Sequence, residues 1–475
     1  MPHLQGVSRE TVLMFPPSLD EYIAPDNPVR FIDAFVDQLD LQSLGFQRVV
    51  AAPEGRPAYH PADLLKLYIY GYLNRVRSSR CLERETHRNL EVMWLLKKLT
   101  PDHKTIADFR KDHAQALRQV CSQFTQLCKE LELFGGELVA IDGSKFLAVN
   151  SRQRNFTQAK LQRVLKELDQ QLTAYLSELD QGDQHEAETA SPPAAALQSK
   201  LDRLRARRAR YQEIQGALAQ SGESQISLTD PDSRSMLASQ RTVVAYNVQI
   251  AVDAKHKLIV EHEVTNAVTD QDQLSPMAGR AKQTLGVEEL NVVADQGYYD
   301  GHEVKQCLGA GITPYIAKPH TSANQHRGLY TKDDFTYEAV RDVYRCPQGA
   351  ALEFRFDTVE AGRHIRYYKT AACHTCQARS RCTDNKEGRR ITRWVDEHLL
   401  EGMAQRVAAN PALMKLRKQL AEHPFGTIKR GMTQGYFLLR RLAKVRGEMS
   451  LTILAYNMKR VMTILGVKKM LAAVA

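Results

Sequence analysis

Two aspartates raise the first chemical question. In VVADQGYYDG (292–301) an apolar run with strand preference ends on Asp295, and in ELVAIDGSKF (137–146) a second such run meets Asp142. A buried strand that closes on an ionised carboxylate needs a partner, so each Asp is either a turn former or a ligand for something positive. Two carboxylates at adjacent strand ends offer hard oxygen donors suited to Mg²⁺ or Mn²⁺. A two-metal site needs a third acid, usually from a following helix. The candidate is Glu422, in LRKQLAEHPFGTIKRGM, which is crowded by Lys415, Arg417, Lys418, Lys429 and Arg430. Two readings stay open for Glu422: a third ligand, or the i,i+4 partner of Lys418.

A second cluster is made of thiols. Cys346, Cys373, Cys376 and Cys382 fall in YRCPQGA and ACHTCQARSRCT, a C-x2-C pair with C-x5-C and a distant Cys-Pro. Four thiolates suit one tetrahedral, structural Zn²⁺ with no open position for chemistry, and His374 is an alternative ligand. The competing reading is a set of free thiols in an insertion. The other four cysteines are scattered among apolar residues and read as core.

The elements that must position these residues follow from periodicity. In PADLLKLYIYGYLNRVRSSRCLERE, Pro61 suits a first helical turn, and Leu64, Leu65, Tyr68, Ile69 and Tyr72 recur at helical spacing. Thr100-Pro101-Asp102 starts another helix. Residues 1–132 therefore read as a helical domain; Arg75, Arg77, Arg80 and Arg84 give it either a basic side or ordinary exposed charges. From 133 the pattern becomes strand, strand, strand, helix, strand, helix, strand, with VVAYNVQIAVD, KLIVEHEVT, ELNVVAD and ITPYIA as later strands. That is an α/β order with a mixed sheet of RNase H-like type.

Two insertions interrupt it. Leu161, Leu165, Leu168, Leu172, Tyr175 and Leu179, then Leu197, Leu201, Leu204, Tyr211 and Leu218, form a coiled-coil seam around a polar Pro-containing break, predicting a helical hairpin over 157–219. The cysteine-rich insertion spans 340–392. Asp253 and Asp300 read as turn residues, and Asp230 and Asp232 as candidates to contact DNA or order Arg234. The stretch from Arg440 to Lys469 predicts an amphipathic helix against the sheet.

Composition narrows the partners. The 475 residues carry a net charge of +10 with a pI near 9.1, which favours nucleic acid as a polyanionic partner. No apolar run approaches the ~18–20 residues of a membrane helix. The amino-terminal stretch lacks the order of a secretion signal, so a cytoplasmic chain with reduced cysteines is expected.

HPADLLKLYIYGYLNRVRSSRCLERE, PDHKTIADFRK, IDGSKF, TDPDSRSM, YNVQIAVD, VVADQGYYDG, EHPFGTIKR and YFLLRRLAKVRGEMSLTILAYNMKR occur in that order along nearly the whole chain. Together they resemble bacterial insertion-sequence transposases of the DDE type. The resemblance implies that Asp142, Asp295 and Glu422 form a catalytic triad holding two Mg²⁺ or Mn²⁺ ions. It implies cleavage of double-stranded DNA at terminal inverted repeats, strand transfer into target DNA, at least a dimer in the DNA complex, and a location at the bacterial nucleoid. It also raises the expectation of a structural Zn²⁺ on the cysteines. Lys429 matches the final lysine of the family's pattern around the glutamate. Lys418 and Lys415 stand where the family places Arg and Tyr, and a Lys cannot make the planar bidentate pair. Expected DNA contacts are Lys429, Lys418, Arg430, Arg75, Arg77 and Arg80. Two other classes compete: a catalytically inactive, repurposed DNA-binding protein, and a metal-dependent hydrolase of a small phosphorylated substrate.

Overall fold

In the computed structural model, residues 14, 17–51, 53–54, 57–184, 194–238, 240–319 and 323–474 are described. Six helices come first: α1 (Pro28–Asp37), α2 (Pro61–Leu73), α3 (Ser79–Arg88), α4 (Leu90–Leu95), α5 (His103–Asp112) and α6 (Ala114–Glu130). Their starts follow local chemistry. Pro28 and Pro61 occupy first turns, where no backbone donor is missed, while Asn27 and Asp102 accept from the free amides of α1 and α5.

The central sheet is built from β1 (Leu138–Leu147), then, beyond the hairpin pieces β2 (Asn155–Thr157), α7 (Gln158–Gln184), α8 (Ala194–Ser221) and β3 (Gln225–Ser227), from β4 (Arg234–Ala238), β5 (Arg241–Asp253) and β6 (Ile259–Thr265). After α9 (Leu274–Leu285) come β7 (Leu290–Ala294), α10 (Gly301–Gly309) and β8 (Ile312–Ile316). The strand order is β4-β5-β1-β7-β8, with β6 also on β5. β1 is antiparallel to β5 and parallel to β7, which is parallel to β8, so the sheet is mixed as expected.

Pairing sets which side chains share a face, because the strand period is two. Ala140 pairs with Val293, and both pack on Leu420. Val139 and Val292 lie in the opposite core with α9 and α10. Asp142 and Asp295 each stand two residues beyond the paired Ala140 and Val293, hence on the same face.

The helical hairpin seals with Leu161, Leu168, Leu201 and Leu218 buried, an Arg208–Asp169 ion pair of 2.5 Å across it, and the β2–β3 pair at its base. The side chains of Leu179 and Leu197, and residues 185–193 of the polar break, lie outside the described residues. Past α11 (Ala323–His326), a second antiparallel sheet runs in the order β13-β12-β11-β10-β9, from β9 (Thr336–Glu338), β10 (Val343–Arg345), β11 (Ala351–Glu360), β12 (Arg363–Lys369) and β13 (Arg390–Trp394). It has its own small core of Phe335, Tyr344, Leu352, Tyr368 and Ile391. The sequence showed only the cysteines of this region, and not the sheet.

The chain returns through α12 (Glu397–Ala409), α13 (Pro411–Gly426), a π-helical turn at Thr427–Gly431, α14 (Leu442–Leu465) and α15 (Val467–Ala473). α14 packs on the sheet as expected, and the amino-terminal helices cover its other side. One continuous core runs from Phe31 and Phe124 through Leu454 and Met458 to Ile250 and Val264. Contact is close: a Cβ on Gly447 of α14 would stand 2.5 Å from the Ala114 Cα.

Candidate active site

Asp142 lies midway along β1, just past its parallel pairing with β7, Asp295 follows the end of β7, and each is gripped by a backbone amide. The Gly143 N–H donates to Asp142 Oδ1 at 2.8 Å, and the Gly297 N–H donates to Asp295 Oδ1 at 2.7 Å. Gly297 belongs there for a steric reason: a Cβ would lie 2.9 Å from that same oxygen. The amide grip explains a carboxylate at a strand end only in part, because it leaves the charges unneutralised. Burial pushes the Asp142 carboxyl up to about 6, and the neighbouring Asp295 charge pushes the same way. A buried acid with a second acid near enough to oppose its ionisation is an arrangement that a cation relieves.

Two cations approach the pair. Arg417 of α13 lowers the Asp142 pKa against those forces. Lys429, on the π-helical turn, donates to Ser144 Oγ at 2.6 Å and to the Lys145 carbonyl at 2.8 Å, with its ammonium 4.7 Å from the Phe146 ring. Burial pulls its pKa down to about 8, and the nearby Asp142 resists that fall. Lys429 is therefore built in beside Asp142, next to the acids around which the family pattern places its lysine. Arg417 was noticed only as one base among several. Its signal was its place on the α13 face that carries Leu413, Leu420 and Ala421.

Glu422 is elsewhere. Its side chain is 63% exposed, and its ion-pair partner is Lys418 at 4.0 Å, the i,i+4 pairing that had been the alternative reading. It lies five positions beyond Arg417, which is about 140° around an α-helix, so the two point in different directions. Among the described residues no group of three or more His, Cys, Asp or Glu side chains is arranged to hold a metal ion. The structure brings together two of the three expected ligands and leaves the third in solvent.

The remaining expected residues divide by burial. Arg75, Arg80, Lys418 and Arg430 are exposed. Arg77 is not: it is 7% exposed, donates to the Tyr436 carbonyl at 2.7 Å, and lies 3.6 Å from Glu448 and over the Tyr436 ring. The expected DNA contact fails for Arg77, which instead braces the amino-terminal helices against the chain leading into α14. Asp230 and Asp232 likewise turn inward, accepting from the Arg441 and Leu442 amides at the start of α14. Asp253 accepts from the Gly135, Gly136 and Lys255 amides, and Asp300 caps α10, both as turn-type residues. The thiols of Cys346, Cys373 and Cys376 lie near enough to raise the Cys382 pKa, although burial is the larger cause.

Mixed-sheet α/β architecture with two acids on one face of adjacent parallel strands defines the class. Two family models match parts of the chain: residues 17–112 match a Transposase domain (DUF772), and residues 345–462 match a Transposase DDE domain. These matches support an insertion-sequence DDE transposase, a family that generally uses a divalent metal such as Mg²⁺. No curated protein matches it. A cryo-EM structure of the piggyBac transposase synaptic complex with hairpin DNA is similar at a TM-score of 0.34 and 9% identity, covering 94% of this chain and 79% of that one. No helix among the described residues is long and apolar enough to cross a membrane.

Proposed function

We propose that this protein is a DNA transposase that binds the ends of an insertion sequence and catalyses metal-dependent strand cleavage and strand transfer. The observation that carries the reading is the same-face pairing of Asp142 and Asp295 in a pocket that raises the Asp142 pKa. The sheet supports it too: the first, second and third long strands are antiparallel neighbours and the fourth and fifth run parallel to the first, as in an RNase H-like core.

In this reading Asp142 and Asp295 hold Mg²⁺ or Mn²⁺, and Glu422 completes the set. Divalent ions there would activate the attacking oxygen and stabilise the leaving 3′-oxygen. Asp142 and Asp295 keep their oxygens fixed through the Gly143 and Gly297 amides. Arg417 and Lys429 supply positive charge beside the pocket. Lys418, Arg430, Arg75 and Arg80 offer exposed charge to the phosphates of double-stranded DNA, terminal repeats and target alike, so binding weakens steeply with salt. Glu422 reaches the pocket only if α13 turns about its axis or its last turns rewind. Pro424 within the helix and the π-helical turn that follows already break the regular ladder at that point.

The fuller proposal has a homodimer bring two DNA ends together, in the cytoplasm at the nucleoid; the expected structural Zn²⁺ is left out of it, because Cys346, Cys373, Cys376 and Cys382 are not arranged to hold a metal ion. The outward Glu422 favours one second reading, a catalytically inactive transposase-derived DNA-binding protein. The test is cleavage of DNA carrying the element's own ends with Mg²⁺, native chain against Asp295→Asn. Nicking lost in the variant with DNA binding kept supports the proposal. Equal nicking in both overturns the site, and binding without nicking in either favours the second reading.

A further inference from the structure

Behind the acid pair, on the α9 side of the sheet, lies a polar network that no step above uses. Asp270, in the loop before α9, accepts three donors on one oxygen: Asn247 Nδ2 at 2.6 Å, Gln249 Nε2 at 2.7 Å and Lys145 Nζ at 3.4 Å. The other end of the Gln249 amide accepts from the Tyr298 hydroxyl. Asn247, Gln249 and Tyr298 are fully buried. Burial holds the Tyr298 hydroxyl well above its usual pKa, with the charges of Asp270, Asp142 and Asp295 adding to it, so the phenol stays a proton donor.

This network touches the backbone behind each acid. Gly143 pairs with Gln249 across β1 and β5, and a Cβ there would stand 2.4 Å from Gln249 Nε2 and 2.7 Å from Asp270 Oδ1. The amide that grips Asp142 is therefore the amide whose missing side chain makes room for Gln249 and Asp270. Tyr298 closes the turn after β7: its own N–H donates to the Asp295 carbonyl at 3.2 Å, and the adjacent Gly297 amide grips the Asp295 carboxylate. One chain of hydrogen bonds, Asp270 to Gln249 to Tyr298, thus spans the gap between the two gripping amides.

We propose that Asp270, Gln249 and Tyr298 are positioning residues that set the separation of the Asp142 and Asp295 carboxylates, and through it the affinity for divalent metal. The inference rests on the reading that those two acids hold the metal. Outer partners of metal ligands commonly contribute about 10–100-fold in affinity, by fixing where the ligand oxygens stand. Asp270→Asn keeps the shape but loses the charge that three donors converge on. Tyr298→Phe removes a single hydroxyl and leaves the buried Gln249 oxygen without that donor, while the ring still fills its space.

The test is Mn²⁺ binding to the full chain without DNA, followed by the electron paramagnetic resonance of free and bound ion, alongside thermal melting. The expected result is Mn²⁺ binding weakened about 10-fold or more in both Asp270→Asn and Tyr298→Phe, with an altered bound-ion spectrum. Tyr298→Phe should melt in one cooperative transition a few degrees below native, so a spectral change recorded well below that temperature is not general unfolding. Native Mn²⁺ affinity and spectrum in folded Tyr298→Phe and Asp270→Asn would overturn the proposal. Asp295→Asn separates the two layers: if it abolishes binding while the network variants bind normally, only the positioning role fails. If Asp295→Asn binds Mn²⁺ like the native chain, the metal-site reading fails with it.

Discussion

The strand-borne acids and the helix-borne acid of the proposed triad live in opposite surroundings. Asp142 and Asp295 are fixed by sheet register and gripped by backbone amides, and burial raises the Asp142 pKa. Glu422 is mostly in water and paired loosely with Lys418. A strand end has little freedom, because shifting its register would move every side chain to the wrong face. A helix can turn about its axis at the cost of repacking one stripe. The difference suggests a half-built site: two acids stored in place and a third supplied by motion of α13.

The largest effect that would sharpen this contrast is catalytic. Asp142→Asn and Asp295→Asn should each lower Mg²⁺-dependent cleavage by about 10³-fold or more, with DNA affinity changed little, as expected when a metal ligand is lost. Glu422→Gln should lower it comparably if α13 turns inward. A near-native rate for Glu422→Gln would break the triad while leaving the strand pair standing.

Stability should separate the acids in the other direction. With a folded pKa near 6 against 3.8 for a free Asp, Asp142 binds its proton more tightly when folded. Its cost to the metal-free protein is absent below about pH 4, grows as pH rises, and is complete above about pH 6. Asp142→Asn should therefore stabilise the metal-free protein at pH 8 by about 1–3 kcal/mol in chemical denaturation. Glu422→Gln, which breaks only an exposed pair, should stay within about 0.5 kcal/mol. A destabilised Asp142→Asn would mean that the pocket already neutralises its acids.

A third expectation concerns pH and metal together. Protons and Mn²⁺ compete for the Asp142 oxygens, so metal affinity should fall progressively below about pH 6, by up to about tenfold per pH unit. Calorimetric titration at pH 5 and pH 7 would show it; equal affinities would remove Asp142 from the ligand set. The smallest effect belongs to Lys418→Ala, expected to change melting by less than about 0.5 kcal/mol equivalent, while reducing the salt dependence of DNA binding if it meets phosphate.

How much of this was legible depended on which periodicity carried it. The strand acids could be read because unbroken apolar runs with strand preference lead into Asp142 and Asp295, although β1 continues past Asp142 to Leu147; the helical hairpin follows from its heptad-like leucines. Glu422 was harder, since its azimuth is fixed by which face of α13 buries Leu420 and Ala421, and KQLAEHPF is apolar on no single clean stripe. Arg77 looked like its exposed neighbours Arg75 and Arg80; only the arrival of Tyr436 and Glu448, more than 350 residues later in the chain, buries it. Asp270, Gln249 and Tyr298 come from a loop, a strand and a turn that meet only in three dimensions. The second sheet was not legible because β9 and β10 have only three residues each and the longer β11 is exposed along most of its length, so none shows an apolar alternation.

Anomalous diffraction from crystals soaked in Mn²⁺ tests the central claim most directly. The account predicts anomalous density between the Asp142 and Asp295 carboxylates, with Glu422 turned toward it in crystals that also contain cleaved element-end DNA. Mn²⁺ bound elsewhere, with the space between Asp142 and Asp295 empty at saturating metal, would contradict it.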